Sequence, residues 1–516
     1  MSARKFPKRI LDKDLDRLTN FEEAAGFLAR ALIAPGLGLI FLSLAAIFAS
    51  VHTFGEPRAT IVVAAAAIAA YMAMNIGAND VANNVGPAVG ARVITMGGAL
   101  AMAAVFEAFG ALFAGRKVVD TIASGIILPQ AVVDPGDFII LMVSALVSAA
   151  LWIHLSTWLR APVSTTHAIV GGVVGAGTAA AGLQAVNWLS MAAITASWVL
   201  SPILAGAIAA AILGFIEATI IYQVDKIAAA RRWVPLLVAF MTGAFAAYLA
   251  MIAADSLDVP NVRVIAGIGV ATFLLAWLPC HSVVQRQSEG LENRNQSLRR
   301  LFAAPLIISA ALLSFAHGAN DVANAVGPLA AIVHTAGAYS VAAKAEVPFW
   351  VMLIGALGIS VGLLLFGPRL IRMVGGEITK LNPVRAFCIA LSTAITVLAA
   401  SWLGLPVSTT HIAVGSVFGI GFFREWSAIR SIRRRSYLQA KARREIPDLE
   451  LPEPVEALAR PIDPLTGGKK GSRQALIRRR LVRRAHVTAI VTAWVTTVPM
   501  SALLAAALFM ILGGLT

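Results

Sequence analysis

Charge is what this chain has least of. Only 13% of its 516 residues are Asp, Glu, Lys or Arg, where a soluble domain carries about 25% to keep its surface wet. With 58% hydrophobic residues and a mean hydropathy of +0.80, that shortfall excludes a soluble enzyme or binding domain. Cysteine is nearly absent. Cys280 and Cys388 both lie at or inside apolar runs, so there is no disulfide framework and no thiolate spacing for a metal; they read as small apolar fillers. No cleavable leader is expected either. The first 30 residues are polar and of mixed charge, and the apolar run at 31–50 starts too late and is too long for a signal core. It is expected to be a first membrane helix.

What the chain has in quantity is uncharged sequence. A helix needs about 20 apolar residues to cross a bilayer, and such runs recur from residue 31 to residue 514. Several run directly into polar motifs with no loop between, which suggests broken or re-entrant helices. The expected fold class is therefore all-α, a polytopic membrane protein with about 10–12 membrane segments. Polar punctuation divides it into an N-terminal cytoplasmic tail with an extra helix (1–58), a first repeat with following helices (59–280), a polar link (281–300), a second repeat (301–423), a basic cytoplasmic loop (424–484) and a last helix (485–516).

The net charge of +15 does not point to nucleic acid. Between Arg424 and Arg484 there are 17 Lys and Arg against 7 Asp and Glu, all in one polar segment flanked by apolar runs. That placement follows the positive-inside rule and assigns the loop and the N-terminal tail to the cytoplasm of a multi-pass protein of the cell (inner) membrane, in contact with anionic lipid.

Two motifs occur twice. Gly77-Ala78-Asn79-Asp80-Val81-Ala82-Asn83-Asn84-Val85-Gly86-Pro87 returns from Gly318 to Pro328 with ten of eleven positions identical, at an offset of 241. Pro162-Val163-Ser164-Thr165-Thr166-His167 returns unchanged from Pro406 to His411, at an offset of 244. Two matches in one order with one spacing mean that a whole unit was duplicated. A looser echo pairs Ala196-Ser197-Trp198 and Pro202 with Thr492-Ala493-Trp494 and Pro499. Transporters built from repeats form their site near the midplane from interrupted helices.

The first motif supplies Asn79, Asp80 and Asn83, and its copy supplies Asn320, Asp321 and Asn324. This is an all-oxygen set suited to a hard cation such as Na⁺, with Asp80 and Asp321 as the charged ligands. A carboxylate at membrane depth costs about 2.5–3.5 kcal/mol and needs a partner. Gly77 and Gly86-Pro87 are expected to break the helix there and free carbonyls for the same shell. Helix capping is the competing role for such residues. In the second motif a proline sets a first helical turn. Ser164, Thr165 and Thr166, with Ser408, Thr409 and Thr410, then cluster hydroxyls at two helix starts, a setting that attracts a tetrahedral oxyanion; capping or back-bonding is again the alternative. Glu107, alone in an apolar run, joins the coupling candidates. His167 and His411 suit proton transfer or a structural hydrogen bond, and His317, with Ile76 at its equivalent place, is expected to have a local role.

Together the motifs describe a coupled pair of sites. Hydroxyls and helix starts draw in an anion that the aspartates would repel, and a cation bound between them removes the repulsion, so each ion favours the other. No arginine lies within either motif, which leaves the positive charge to the co-transported ion and the helix dipoles. No nucleophile–base pair stands outside the repeats, so an enzyme is not expected, and no resident cofactor is implied.

The paired motifs resemble those of the PiT family of inorganic phosphate transporters, over residues 59–516. The resemblance implies phosphate between the two Ser-Thr-Thr elements, sodium sites at Asn79, Asp80, Asn83, Asn320, Asp321 and Asn324, a homodimer, inverted repeats and an elevator-like or rocking core. It leaves the co-transported ion as Na⁺ or H⁺, with metal–phosphate complexes carried by some members and sulfate as the alternative oxyanion. Such proteins have a glutamate in each half; Glu107 matches one, and Ala390 stands where the other is expected.

Overall fold

The computed structural model describes residues 32–132, 134–159, 163–256, 261–338, 341, 347–377, 382–445 and 484–514. The tail at 1–30, Pro162 and residues 446–483 of the basic segment lie outside them. Among the described residues, 11 helices are long and apolar enough to cross a membrane, as the composition requires.

The helices are α1 (Leu32–His52), α2 (Ala59–Gly90), α3 (Met96–Ala114), α4 (Arg116–Asp120), α5 (Pro135–Trp158), α6 (Thr165–Ala181), α7 (Trp188–Ile216), α8 (Lys226–Ser256), α9 (Val262–Ser288), α10 (Asn295–Leu301), α11 (Ala303–Asp321), α12 (Ala323–Ala338), α13 (Phe349–Glu377), α14 (Pro383–Trp402), α15 (Thr409–Glu445) and α16 (Arg484–Gly513). Local chemistry sets several ends. The Asp134 carboxylate accepts from Asp137 N ahead of Pro135 at the start of α5, and Asn382 does the same for Val384 N ahead of Pro383 at the start of α14. The polar link is partly helical: α9 runs on to Ser288 and α10 covers Asn295–Leu301. The 424–484 segment begins as helix, because α15 continues to Glu445.

The repeats interlock. α2 of the first packs along α13 of the second, and α11 of the second packs along α3 of the first. α7 crosses to lie against α14 and α15, and α16 returns to lie against α5 and α6. The helices carrying the Trp198 and Trp494 echo thus each complete the opposite half. With no hydrophobic drive between helices in lipid, such contacts depend on small residues that admit close approach. A Cβ on Gly77 would collide with Ile359 O and one on Gly318 with Glu107 O; Gly110 faces Phe315 O, and Gly362 faces Met74 O.

This corrects the expected role of the motif glycines. α2 runs unbroken through Gly77 and Gly86-Pro87. In the copy only Val322 separates α11 from α12, and it keeps helical angles (φ −56°, ψ −32°). Gly77 and Gly318 do not break helices; they bring backbones into contact. Gly318→Val is expected to destabilise the protein by roughly 1–3 kcal/mol through overpacking, read as a lower unfolding temperature in detergent.

The glycine contacts also fix which residues correspond. Gly77 on Ile359 mirrors Gly318 on Glu107, so Ile359 of α13 is the counterpart of Glu107. Ala390 is buried in α14, whose counterpart is α5, and is not the symmetry mate of Glu107.

Candidate functional site

The two copies of each motif, 241 and 244 residues apart in sequence, meet at one buried centre. Asp80, Thr165, Thr166, Asn320, Asp321, Asn324, Ser408 and Thr409 are all buried, while Asn79, Asn83 and Thr410 are partly so.

Each aspartate is bound by a threonine of its own repeat. Thr165 Oγ1 donates to Asp80 Oδ2 at 3.4 Å, and Thr409 Oγ1 donates to Asp321 Oδ2 at 2.9 Å. Each second asparagine reaches the opposite repeat. Asn83 Nδ2 donates to Thr410 Oγ1 at 2.9 Å, and Asn324 Nδ2 donates to Thr166 Oγ1 at 3.1 Å and Thr165 Oγ1 at 3.3 Å. The final threonines differ. Thr410 Oγ1 donates to Asp80 Oδ1 across the repeats at 2.8 Å, whereas Thr166 Oγ1 donates to Val407 O at 3.0 Å.

The first asparagines hold the frame. Asn79 Nδ2 donates to Thr157 Oγ1 at 3.3 Å. Asn320 Nδ2 donates to Ser401 Oγ at 3.0 Å and Leu405 O at 3.1 Å, while its Oδ1 accepts from Val407 N at 3.0 Å. Asn320 therefore positions the strand of chain that leads into α15. Asn320→Ala would leave buried backbone groups unpaired, worth about 1–3 kcal/mol. It is expected to destabilise the fold by that amount, read as a lower unfolding temperature in detergent.

The serines cap. Ser164 Oγ accepts from His167 N at 3.2 Å and Ser408 Oγ from His411 N at 3.4 Å. The capping role anticipated as an alternative is therefore present, and it is compatible with anion binding because an accepting hydroxyl keeps its own O–H to donate. The two histidines lie ring to ring at 4.7 Å, with Trp198 edge-on to His167 at 3.9 Å. Trp198 Nε1 donates to Pro406 O of the other repeat at 3.0 Å.

His317, for which the sequence suggests a local role, lies among the motif carboxylates. It is fully buried in the centre of the site. Its Nε2 lies 2.9 Å from Asp321 Oδ2 and 3.8 Å from Asp80 Oδ2, and its Nδ1 lies 3.3 Å from Glu107 Oε1. Glu107 in turn accepts from Asn84 Nδ2 at 2.7 Å. The mismatch with Ile76 was the available signal, but its partner mismatch was hidden: Glu107 is matched by Ile359. One half carries a His–Glu pair where the other buries Ile76 and Ile359 in the apolar core. Among the described residues, His317 is the only basic side chain within ion-pair distance of these carboxylates. Asp321 Oδ1, Asn324 Oδ1, Asn84 Oδ1 and Glu107 Oε2 are buried without a hydrogen-bond partner, a cost that a bound cation would offset.

Residues 76–505 match the phosphate transporter family. The chain belongs to that family. A relative from Helicobacter pylori, provisionally named a phosphate permease, is 43% identical over 97% of this chain and 99% of its own length. One from Pyrococcus abyssi with the same provisional name is 39% identical over 69% of this chain and 88% of its own. Among solved structures, a protein described as the sodium-dependent phosphate transporter aligns with TM-score 0.74 and 32% identity, covering 89% of this chain and all of that one. Family membership makes this chain a multi-pass phosphate transporter rather than an enzyme.

Proposed function

We propose that this phosphate transporter is a symporter, moving inorganic phosphate with a co-transported cation by alternating access. The observation that carries the reading is the crossed hydrogen bonding: Asn83 and Asp80 engage Thr410, and Asn324 engages Thr165 and Thr166. Cation ligands of one repeat and hydroxyls of the other form a single unit, so the two ions would be felt together. In this reading the O–H groups of Ser164 and Ser408 donate to phosphate, and the hydroxyls of Thr165, Thr166, Thr409 and Thr410 turn to it from the Asp80, Val407, Asp321 and Asp80 oxygens that they donate to here. Asp80, Asp321, Asn79, Asn83, Asn320 and Asn324 hold the cation, and Glu107 tunes it through His317.

Charge distribution supports an inverted arrangement. Arg231 and Arg232 near the start of α8, and Arg294, Arg299 and Arg300 after α9, fall on one side, two crossings apart. Taken as cytoplasmic, they place the far end of α6, where α7 begins, on the outside. The basic end of α15 lies inside. α6 and α15 leave one centre in opposite directions. The solved relative is described as sodium-dependent, which favours Na⁺ over H⁺ here.

The test is phosphate uptake into proteoliposomes with Na⁺ and H⁺ gradients imposed separately. Acceleration by the Na⁺ gradient, with arsenate competing far better than sulfate, is the expected result. Uptake indifferent to both gradients would remove the symport reading, and equal competition by sulfate would replace phosphate with a broader oxyanion specificity.

A further inference from the structure

We infer that the buried Asp80–His317–Asp321 cluster is a binding site for one zinc-class divalent ion per chain, sharing its aspartates with the hard coupling cation. This rests on the transport reading only for that competition; the site itself follows from its atoms.

The donor set is the first argument. One ligand atom from each of Asp80, His317 and Asp321 lies within 4.8 Å of the others, and all three residues are buried. Imidazole adds little for Na⁺ but suits Zn²⁺, Ni²⁺ or Fe²⁺ well. Bonds of about 2.0–2.2 Å put neighbouring ligands of a tetrahedral ion about 3.3–3.6 Å apart. The separations from Nε2 to the two aspartate oxygens, 2.9 and 3.8 Å, lie on either side of that range, and the three ligand atoms all lie within 4.8 Å of one another.

The surroundings are the second argument. A metal-binding histidine commonly turns its other ring nitrogen to a carboxylate, which fixes the tautomer and frees the ligating nitrogen. Here Nδ1 faces Glu107 Oε1 at 3.3 Å, and Asn84 holds that same oxygen at 2.7 Å. The two aspartate oxygens are themselves steadied by Thr165 and Thr409. Both ring nitrogens of His317 and Asp321 Oδ1 lack an aligned hydrogen bond although fully buried. The carboxylates face the ring at ion-pair distance without hydrogen-bond alignment, an arrangement open to an ion held between them.

The broken symmetry is the third argument, and it sets the number. Ile76 and Ile359 take the places of His317 and Glu107 in the other half, so imidazole and its supporting carboxylate occur once. An all-oxygen site of the two repeats would predict two equivalent ions. This cluster predicts one.

The experiment uses the purified full chain in detergent, in a buffer free of Na⁺, titrated with Co²⁺ as a spectroscopic probe. The expected result is one Co²⁺ per chain with visible d–d absorption, displaced by Zn²⁺ and by rising Na⁺. His317→Gln should weaken Co²⁺ by more than tenfold, and Glu107→Gln by roughly 10–100-fold through loss of ring support. X-ray absorption of bound Zn²⁺ in the wild-type chain should show imidazole scattering, which needs no variant to fold. No stoichiometric Co²⁺, two ions per chain, an all-oxygen shell, or affinity unchanged in His317→Gln would each overturn the inference. Phosphate uptake by the same preparation in Na⁺ alone is scored separately, so failure of the transport reading and failure of the metal site remain distinct results.

Discussion

Asp80→Asn is expected to abolish cation-driven phosphate uptake while the protein still inserts and folds. The substitution is nearly isosteric, and its one carbonyl oxygen can accept from only one of Thr410 and Thr165, which donate to Asp80 Oδ1 at 2.8 Å and Oδ2 at 3.4 Å. The larger loss is the charge. At about 4 Å and an effective dielectric near 20, one unit charge is worth about 4 kcal/mol to a monovalent cation, or roughly a thousandfold in affinity. Asp321→Asn should act in the same direction, because Asp321 faces the same His317 and holds Thr409 at 2.9 Å. Initial uptake rates at saturating phosphate, with surface-normalised expression, would show the loss. Wild-type rates in both variants would refute a cation role for the pair.

Much of this site was legible in the sequence because duplication made it so. A carboxylate or hydroxyl cluster seen once in an apolar run is ambiguous with helix capping; seen twice at one offset, it marks a common centre. The all-helical fold and approximate number of spans followed from hydropathy alone. Three things did not follow. Gly77 and Gly318 look like helix breakers by composition, but their use is interhelical contact on Ile359 and Glu107, a property of the partner helix that no local pattern contains. His317 looks local because its repeat equivalent is Ile76, and only the matching packing of Gly77 on Ile359 and Gly318 on Glu107 shows the asymmetry as an exchange at both members of the His317–Glu107 pair. The serines are grouped with the threonines by sequence, and the geometry gives them an added role: Ser164 and Ser408 cap as acceptors and keep an O–H to donate, while Thr165, Thr166 and Thr410 tie the repeats together.

That tie yields the second large expected effect, and it differs between the halves. Thr410→Val removes a hydroxyl that donates to Asp80 and accepts from Asn83. Thr166→Val removes one that donates to the Val407 carbonyl and accepts from Asn324. Valine keeps the shape, so each change isolates the hydroxyl. Hydrogen bonds to a charged group are worth about 1.5–3 kcal/mol, so both variants should raise the phosphate KM by roughly 10–100-fold if the hydroxyl serves the anion. Only Thr410 touches a carboxylate. Measured at saturating phosphate, where a weakened phosphate affinity no longer alters the apparent cation affinity, Thr410→Val should also shift the half-saturating cation concentration, and Thr166→Val should leave it near the wild-type value. Equal shifts in both would mean that the two repeats present the cation with equivalent environments, contrary to the unequal partners of Thr166 and Thr410. An unchanged phosphate KM in both would take these hydroxyls out of the anion site and leave them as fasteners between the repeats.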